Sequence, residues 1–247
     1  MRAPLQRANL FAANLTGANL AGANLHKANL ARANLTGADA TGARLSMANL
    51  SGAILSRATF RAADLSGATI SWADLRGVIL YGANLRSATI IDARLIEATL
   101  HGADLRGADL SGSDLASAQL GGANLGGANL AKASLRGASI SRGNLCEANL
   151  YGADLTKADF RAANLCGADL SWADLSGANM RWADLRGAVL YGADLSGADL
   201  SGANLRGADV RAVDLGRACL TDATLQGAIV IEAPNDADLR DAERAAE

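Results

Sequence analysis

Residues 168–195, ADLSWADLSGANMRWADLRGAVLYGADL, carry Leu or Met at every fifth position. Ala stands two places before each of these residues, and Asp or Asn usually fills the place between. The pattern runs in both directions without a change of register. Its central residues extend from Leu5 to Val230, where 37 of 46 positions are Leu, and 43 of 47 positions in the column two residues earlier are Ala. Both columns are expected to be interior.

A period of five fits neither regular element when it is straight. On an α-helix, five residues advance by about 140°, so the leucines would form no face. On a flat strand, an odd spacing would place successive leucines on opposite sides. The pattern therefore predicts a solenoid with short β-like sides, in which the chain turns a corner in every pentad and Ala and Leu point inward.

Internal repeats indicate how many pentads make one coil. Residues 58–75 match residues 158–175 at 13 of 18 positions, an offset of 100. That offset is five coils of 20 residues, or four pentads per coil. A second match, between residues 72–85 and 182–195, has an offset of 110. We interpret the difference as half a coil inserted after a duplication.

The strings ANLTG, ADLSG and ANLRG resemble the pentapeptide-repeat proteins, and the resemblance covers residues 3–233. It implies an all-β fold, a right-handed quadrilateral parallel β-helix of about 11–12 coils in a single domain, residues 1–233. Residues 234–247 leave the register, and Asn235 or Asp236 can cap a helix after Pro234. This short C-terminal helix is expected to cap the last coil; the alternative is a homodimer contact, since C-terminal elements pair subunits in some relatives.

Stacked coils about 4.8 Å apart bring residues 20 apart into contact. Ala40, the one small central residue, is then expected to lie directly beneath Phe60, whose ring fills its space. The Leu column is expected to dominate stability, since each buried Leu contributes about 1.5–3 kcal/mol.

Composition excludes several classes of function. The formal charge of −2 is not the basic field of a nucleic-acid binder, so no direct nucleic-acid binding is expected. The opening MRAPLQRANLFAANL lacks the apolar core of a signal peptide, and no run approaches the roughly 20 apolar residues of a membrane span. We therefore expect a cytoplasmic protein that does not contact a membrane.

An acidic column distinguishes the face that we name after Leu15. It carries Asp154, Asp174, Asp194 and Asp214, one in each coil. Charge repeated along a rod can imitate DNA, and the resemblance implies a candidate partner, because some pentapeptide-repeat relatives bind DNA gyrase and protect it from inhibitors. In the alternative interpretation, each Asp only hydrogen-bonds its adjoining corner. Lys157, Arg217 and a Leu rather than Phe centre weaken the DNA-mimic hypothesis.

Aromatic residues gather beside this column. Tyr151, Trp172 and Tyr191 fall in successive coils at the end of the Leu10 face, next to the acidic residues. Exposed aromatics beside charge are typical of protein interfaces, although packing at the corner is an equal alternative. Trp182 is expected on the opposite side with Tyr81.

Other polar residues give no catalytic, cofactor or metal site. His26 and His101 fall on different faces without a nucleophile or ligand set. Cys146 and Cys166 are stacked, outward-pointing neighbours that we expect to be reduced. A stripe of Arg alternates with Asp104 and Asp184 and is expected to be internally paired; its members are Arg86, Arg106, Arg186 and Arg206. An enzyme is not expected.

Two classes of function remain. The first is a protein-binding rod that presents its acidic and aromatic edge to a partner, with a type II topoisomerase as the most concrete candidate by resemblance. The second is a structural or regulatory scaffold without DNA mimicry.

Overall fold

The computed structural model describes residues 5–230, and its regular pentads share one backbone conformation. The first two residues of a pentad form a turn, the third and fifth are buried, and the fourth makes single-residue parallel bridges to the residues 20 earlier and 20 later. Four turns and four bridges therefore complete each 20-residue coil of a four-sided β-helix. We name each face after its first central residue: Leu5, Leu10, Leu15 or Leu20.

One pentad, residues 171–175, shows how the sequence produces this backbone. The first N–H, of Ser171, bonds the side chain of Asp169 at 2.9 Å. Trp172 N–H bonds the next coil, Ala173 N–H closes the turn onto the Leu170 carbonyl at 3.0 Å, and the last two residues bond the previous and next coils. All five N–H groups are thus used, which explains why Asn or Asp precedes Leu so often.

The second residue of each turn has a positive φ, as a type II turn requires at that place. Glycine adopts this conformation without strain, yet Trp172 also does so, at φ 60°. Because the turn points this residue outward, large side chains at the corners lie on the surface rather than in the core.

The interior is a continuous aliphatic column. From Leu25 to Leu205 the central leucines are no more than 2% exposed, and the alanines two places before them are no more than 5% exposed. Ala40 and Phe60 are both buried, and a bridge between Asp39 and Thr59 sets them on adjacent coils. The predicted core and the predicted stacking of this pair are therefore confirmed.

β-Branched central residues disturb the turn that follows them. A Cβ built on Gly143 would lie 2.7 Å from the Ile140 Cγ2 atom. Where Ala stands three residues after Ile, the turn hydrogen bond lengthens. The distance from the Ala73 nitrogen to the Ile70 carbonyl oxygen is 3.3 Å, whereas the same bond from Gly143 to Ile140 is 2.9 Å. The γ-methyl of Ile therefore competes for space with the Cβ of the Ala three residues later.

In a second turn after Ile, a side chain from the next coil replaces the backbone hydrogen bond. At Ile90 the direct bond from Ala93 is replaced by the Ser113 hydroxyl, which accepts from the Ala93 N–H at 3.0 Å and donates to the Ile90 carbonyl. Ser113 is fully buried, and it is an exception to the Ala column. The exception is explained by the Ile turn in the preceding coil.

The solenoid loses its regular course where the first and last residues of one turn are both β-branched. Val210 begins this turn, Val213 stands at its end in place of Ala, and the chain then forms a 3-10 helix at Leu215–Arg217. Among residues 5–230, the bond expected from the Leu195 N–H to the Asp214 carbonyl is absent. The bridge between Asp199 and Cys219 restores the register.

We expect the double substitution Val210→Leu and Val213→Ala to restore the regular pentad, because it removes both β-branched contacts. The Leu195 N–H would regain its acceptor, and the free energy of unfolding would rise by about 1 kcal/mol, the contribution of a typical hydrogen bond. Hydrogen exchange at the Leu195 amide, together with the melting temperature, measures the effect.

Val78→Ala is the matched control, because Val78 follows Leu75 and its turn is already closed at 3.1 Å. It should bring no gain in stability. An unchanged exchange rate at Leu195 in the double variant would contradict the explanation from β-branching.

The predicted C-terminal helix and its domain, residues 234–247, lie outside the described residues. Between residues 5 and 230 there is no helix with the length and apolar character needed to cross a membrane.

Candidate functional site

The acidic column of the Leu15 face is shorter than predicted. Parallel bridges join Asp154 to Asp174 and Asp174 to Asp194, so these three carboxylates occupy successive coils. Asp214 does not continue the column, because the irregular pentad takes it out of the bridge pattern; it caps the 3-10 helix and accepts from the Gly216 N–H at 3.0 Å. We correct the prediction accordingly and call Asp154, Asp174 and Asp194 the acidic ladder.

Each carboxylate of the acidic ladder hydrogen-bonds its own corner. Asp154 accepts from Thr156, Asp174 from Ser176, and Asp194 from Ser196, with N–H to oxygen distances of 2.8–3.0 Å. These contacts are those of the Asn residues elsewhere, so the predicted role in supporting the corner is confirmed for all three.

The same contacts bear on the ionisation of the acidic ladder. Burial acts to raise the pKa of Asp154, but hydrogen bonds from Thr156 and the nearby Arg136 guanidinium outweigh it and hold the pKa below its usual value. Hydrogen bonds from Ser196 likewise lower the pKa of Asp194. Both carboxylates are therefore negatively charged at neutral pH.

Other faces use amide groups between coils where the acidic ladder has only carboxylates. Asn144 donates to the Asn124 side chain at 3.0 Å, and Asn164 donates to Asn144 at 3.1 Å. On the Leu10 face, Asn149 and Asn129 continue the same kind of chain down to Asp109. An ionised carboxylate accepts but does not donate, so an Asp on top of an Asp loses this link.

The acidic ladder is the one place among residues 5–230 where three successive coils carry Asp on the same face. Two exposed charges about 4.8 Å apart repel by about 1 kcal/mol in water. Asn would accept the same corner N–H and can also donate to the previous coil, as Asn144 and Asn164 do. The fold alone therefore favours Asn at Asp174, and the carboxylate there is not explained by stability.

Two arginines partly neutralise the ends of the acidic ladder. Arg136 Nε lies 3.4 Å from Asp154 Oδ2, and the charge of Arg217 also contributes to the lowered pKa of Asp194. Arg136 was not predicted from the sequence, although its place one coil below Asp154 at the adjoining corner was a usable signal. Asp174, at the centre, has no ion pair among the described residues.

The predicted aromatics lie at the corner between the Leu10 and Leu15 faces, which we call the aromatic corner. Trp172, Tyr151 and Tyr191 are 55%, 42% and 38% exposed. The Trp172 and Tyr191 rings meet edge to face, with centroids 5.5 Å apart. Such a pair is rigid and amphipathic, and it borders the acidic ladder directly.

Two further residues complete the aromatic corner. The Trp172 ring lies against Gly192 in the next coil, where an added Cβ would be 2.8 Å from the ring. The Arg211 guanidinium lies 5.6 Å from the Tyr191 ring centroid while pairing with Asp209. Gly192 and Arg211 were not predicted from the sequence, although each stands 20 residues beyond its aromatic partner.

Trp182 and Tyr81 sit at the diagonally opposite corner, as predicted. Trp182 contacts the Arg181 guanidinium at 4.8 Å from its ring centroid, and Tyr81 contacts Arg61 at 5.1 Å. No carboxylate ladder borders these rings on the Leu20 face, where Asp159 and Asp199 are separated by Asn179. The two corners therefore differ in chemistry.

The arginine stripe of the Leu5 face is internally paired where Asp is adjacent. Arg106 pairs with Asp104, and Arg186 pairs with Asp184 at 2.6 Å. The side-chain hydrogen bonds from these arginines lower the pKa of both aspartates. This pairing leaves little net charge for a phosphate group.

The cysteine prediction is corrected by the structure. Cys146 and Cys166 form a disulfide, with their Cα atoms 4.7 Å apart, because the parallel ladder places residues 20 apart side by side. His26 hydrogen-bonds the Ser46 hydroxyl through Nδ1 at 2.8 Å, one coil away, so the expectation that no nucleophile lies beside it is wrong. Within residues 5–230 no group of three metal-ligating side chains converges.

Comparison with known proteins agrees with the fold. The family model described as Pentapeptide repeats matches eight copies that together span residues 8–227. No curated protein sequence matched the chain closely enough to be counted.

Solved structures that resemble the chain include three repeat proteins. HetL, involved in heterocyst differentiation regulation in the cyanobacterium Nostoc sp., is 42% identical over 84% of this chain and 89% of its own, with a TM-score of 0.41. An Arabidopsis thaliana thylakoid-lumen protein is 33% identical over 41% of this chain and 70% of its own, with a TM-score of 0.40. The plasmid-mediated fluoroquinolone resistance protein QnrB1 is 24% identical over 83% and 93%, with a TM-score of 0.46.

The family model covers most of the chain, and its repeats coincide with the observed pentads and their 20-residue bridges. The chain belongs to the pentapeptide-repeat family.

Proposed function

We propose that this protein is a non-catalytic binding rod, and that the acidic ladder and the aromatic corner form its binding edge for a protein partner. The observation that carries the proposal is the run of Asp on three successive coils, which the fold does not require. Asn at those places would keep the corner bonds and permit a bond to the previous coil of the kind that Asn144 and Asn164 make. A residue that lowers the stability of a repetitive fold, where the repeat offers a better one, indicates a functional surface.

The aromatic corner supports the same edge. Trp172 and Tyr191 are held by each other and by Gly192, so they bury apolar area on binding with little loss of side-chain freedom. Aromatic anchors beside charge give a partner both affinity and orientation. The preferred partner surface is therefore basic, with a shallow apolar recess for Trp172.

A type II topoisomerase is the partner class that we propose to test first, on the basis of the family resemblance. The magnitude of the charge limits how far DNA mimicry can extend. Duplex DNA carries one charge per about 1.7 Å, whereas the acidic ladder carries one per about 4.8 Å over three coils. We therefore propose recognition of a short acidic strip rather than replacement of a long duplex.

The structural or regulatory scaffold remains the second candidate function. It is favoured by the corner bonds of Asp154, Asp174 and Asp194, which are those that Asn makes elsewhere in the solenoid. In that case the carboxylates contribute only to the rod. The absence of catalytic activity and a cytoplasmic location are part of both proposals, and the homodimer through residues 234–247 stays a prediction.

The decisive variant changes Asp154, Asp174 and Asp194 together to Asn. We expect the wild-type chain to alter gyrase supercoiling or its inhibition by a fluoroquinolone. The variant should need a concentration at least about tenfold higher for the same effect, which corresponds to a loss of about 1.4 kcal/mol of binding free energy. Its melting temperature should equal or exceed that of the wild type, because about 1 kcal/mol of repulsion per pair is removed.

The matched control changes Asp64, Asp104 and Asp184 to Asn on the opposite Leu5 face, with the same change in net charge. This control should retain the effect on gyrase. If the wild type leaves supercoiling and drug sensitivity unchanged, the topoisomerase proposal fails and the scaffold is favoured. Equal loss in both variants would show that total charge, not the acidic ladder, is responsible.

A further inference from the structure

The disulfide between Cys146 and Cys166 joins two coils that neighbour each other in the middle of the regular solenoid. Both residues occupy the first place of a corner turn on the Leu5 face, on the side of the rod away from the acidic ladder. Their Cα separation of 4.7 Å lies within the range that a disulfide can span. The 20-residue coil sets the two residues side by side, and the tertiary structure shows that they are bonded.

The backbone of both cysteines is held by bonds that do not involve sulfur. The Cys146 carbonyl accepts from Gly127, and the Cys166 carbonyl accepts from Glu147, at 2.9 and 2.8 Å. Their N–H groups donate to the side chains of Asn144 and Asn164 at 3.2 and 3.1 Å. The two thiols are therefore expected to stay adjacent when reduced, which gives each a high effective concentration for the other.

The pair is also within reach of small molecules. Both side chains are half-buried at an outward corner, and neither is enclosed in the core. Cys219 is exposed but lies on the Leu20 face of a later coil, so it is not placed to compete for either sulfur. A low-molecular-weight thiol or disulfide can approach the corner without opening the solenoid.

We propose that Cys146 and Cys166 are a reversible redox modification site whose substrate is a small disulfide such as oxidised glutathione. One thiolate attacks the glutathione disulfide, forms a mixed disulfide and releases one glutathione. The second thiolate then displaces the other glutathione, and the Sγ–Sγ bond forms. Two electrons pass from the protein thiols to the glutathione disulfide, and the two thiol protons are taken up by the released glutathione thiolates.

The cross-link changes how the rod opens. Each coil of a solenoid contacts only its neighbours, so local separation between coils is its weakest motion. A bond between residues 146 and 166 closes one whole coil and restricts the unfolded chain. The oxidised protein is thus the more resistant form, and this effect stands apart from the proposed partner.

The sequence permits a direct assay in the full-length chain. Trypsin cleaves after Arg142, Lys157, Arg161 and Arg181, which leaves Cys146 in residues 143–157 and Cys166 in residues 162–181. Folded protein is equilibrated with defined ratios of reduced and oxidised glutathione, alkylated and digested. We expect a cross-linked pair of these peptides that grows with the oxidised fraction and disappears with dithiothreitol.

Stability provides the second measurement. The oxidised chain should melt about 5–10 °C above the reduced chain, from the entropy of closing a 20-residue loop. Cys146→Ser and Cys166→Ser should each abolish the difference, whereas Cys219→Ser should retain it. The proposal is overturned if no cross-linked pair forms in the folded chain, if dithiothreitol does not reverse it, or if the two forms melt together.

Discussion

Ala40→Phe is expected to lower the free energy of unfolding by about 3 kcal/mol, the upper range for overpacking of a closed core. Ala40 has no exposed surface, and its N–H bonds the Thr59 carbonyl at 2.7 Å, so the coil of Phe60 cannot move away. Two rings would then compete for space that one ring and one methyl group now fill. Thermal and urea unfolding of the variant measure the loss.

A compensating variant distinguishes overpacking from a general intolerance of Phe at position 40. Ala40→Phe combined with Phe60→Ala moves the large side chain by one coil and conserves the total volume, so it should recover most of the lost stability. Phe160 shows that a ring is accepted in this column between Ile140 and Met180. A single variant as stable as the wild type would contradict the stacking of Ala40 on Phe60.

Gly143→Ala should destabilise the protein by about 1–3 kcal/mol, although Ala is the usual residue of this column. The new Cβ would lie 2.7 Å from Ile140 Cγ2 and 2.9 Å from the Ile140 carbonyl oxygen. The nearest precedent is Ala73 after Ile70, where the turn bond stretches to 3.3 Å. Thermal unfolding and hydrogen exchange at residue 143 measure the effect.

Ile140→Leu is the control for this prediction, because Leu lacks the γ2 methyl group. The double variant Ile140→Leu and Gly143→Ala recreates the common pentad and should regain the stability of the wild type. Destabilisation that persists in the double variant would show that Gly143 is needed for another reason.

Most of the fold follows from the spacing of residues along the chain. Ala and Leu lie two residues apart and recur every five residues, so a corner in every pentad is the arrangement that buries both. The 100-residue offset between residues 58–75 and 158–175 indicates a 20-residue coil. Parallel bridges such as Asp154 to Asp174 confirm that coil. The prediction succeeds because each backbone bond joins residues at a constant sequence separation.

The candidate site was predicted less completely. Tyr151, Trp172 and Tyr191 lie at one corner beside three of the four predicted carboxylates, whereas Asp214 leaves the column. Its departure follows the turn that has Val at both ends, Val210 and Val213, and a single Val does not indicate a break, since Val78 is tolerated after Leu75. A pattern of residue types does not contain the distance between two side chains in one turn.

The sequence by itself determined the coil length, the aliphatic core, the corner bonds of Asn and Asp, and the face on which each side chain lies, because these depend only on position within the repeat. The tertiary structure decided which neighbours meet: the Trp172 ring on Gly192 and against Tyr191, the disulfide of Cys146 with Cys166, and the end of the acidic ladder at Asp194. These features depend on side-chain contacts below about 4 Å between or within coils, where one methyl group changes the outcome.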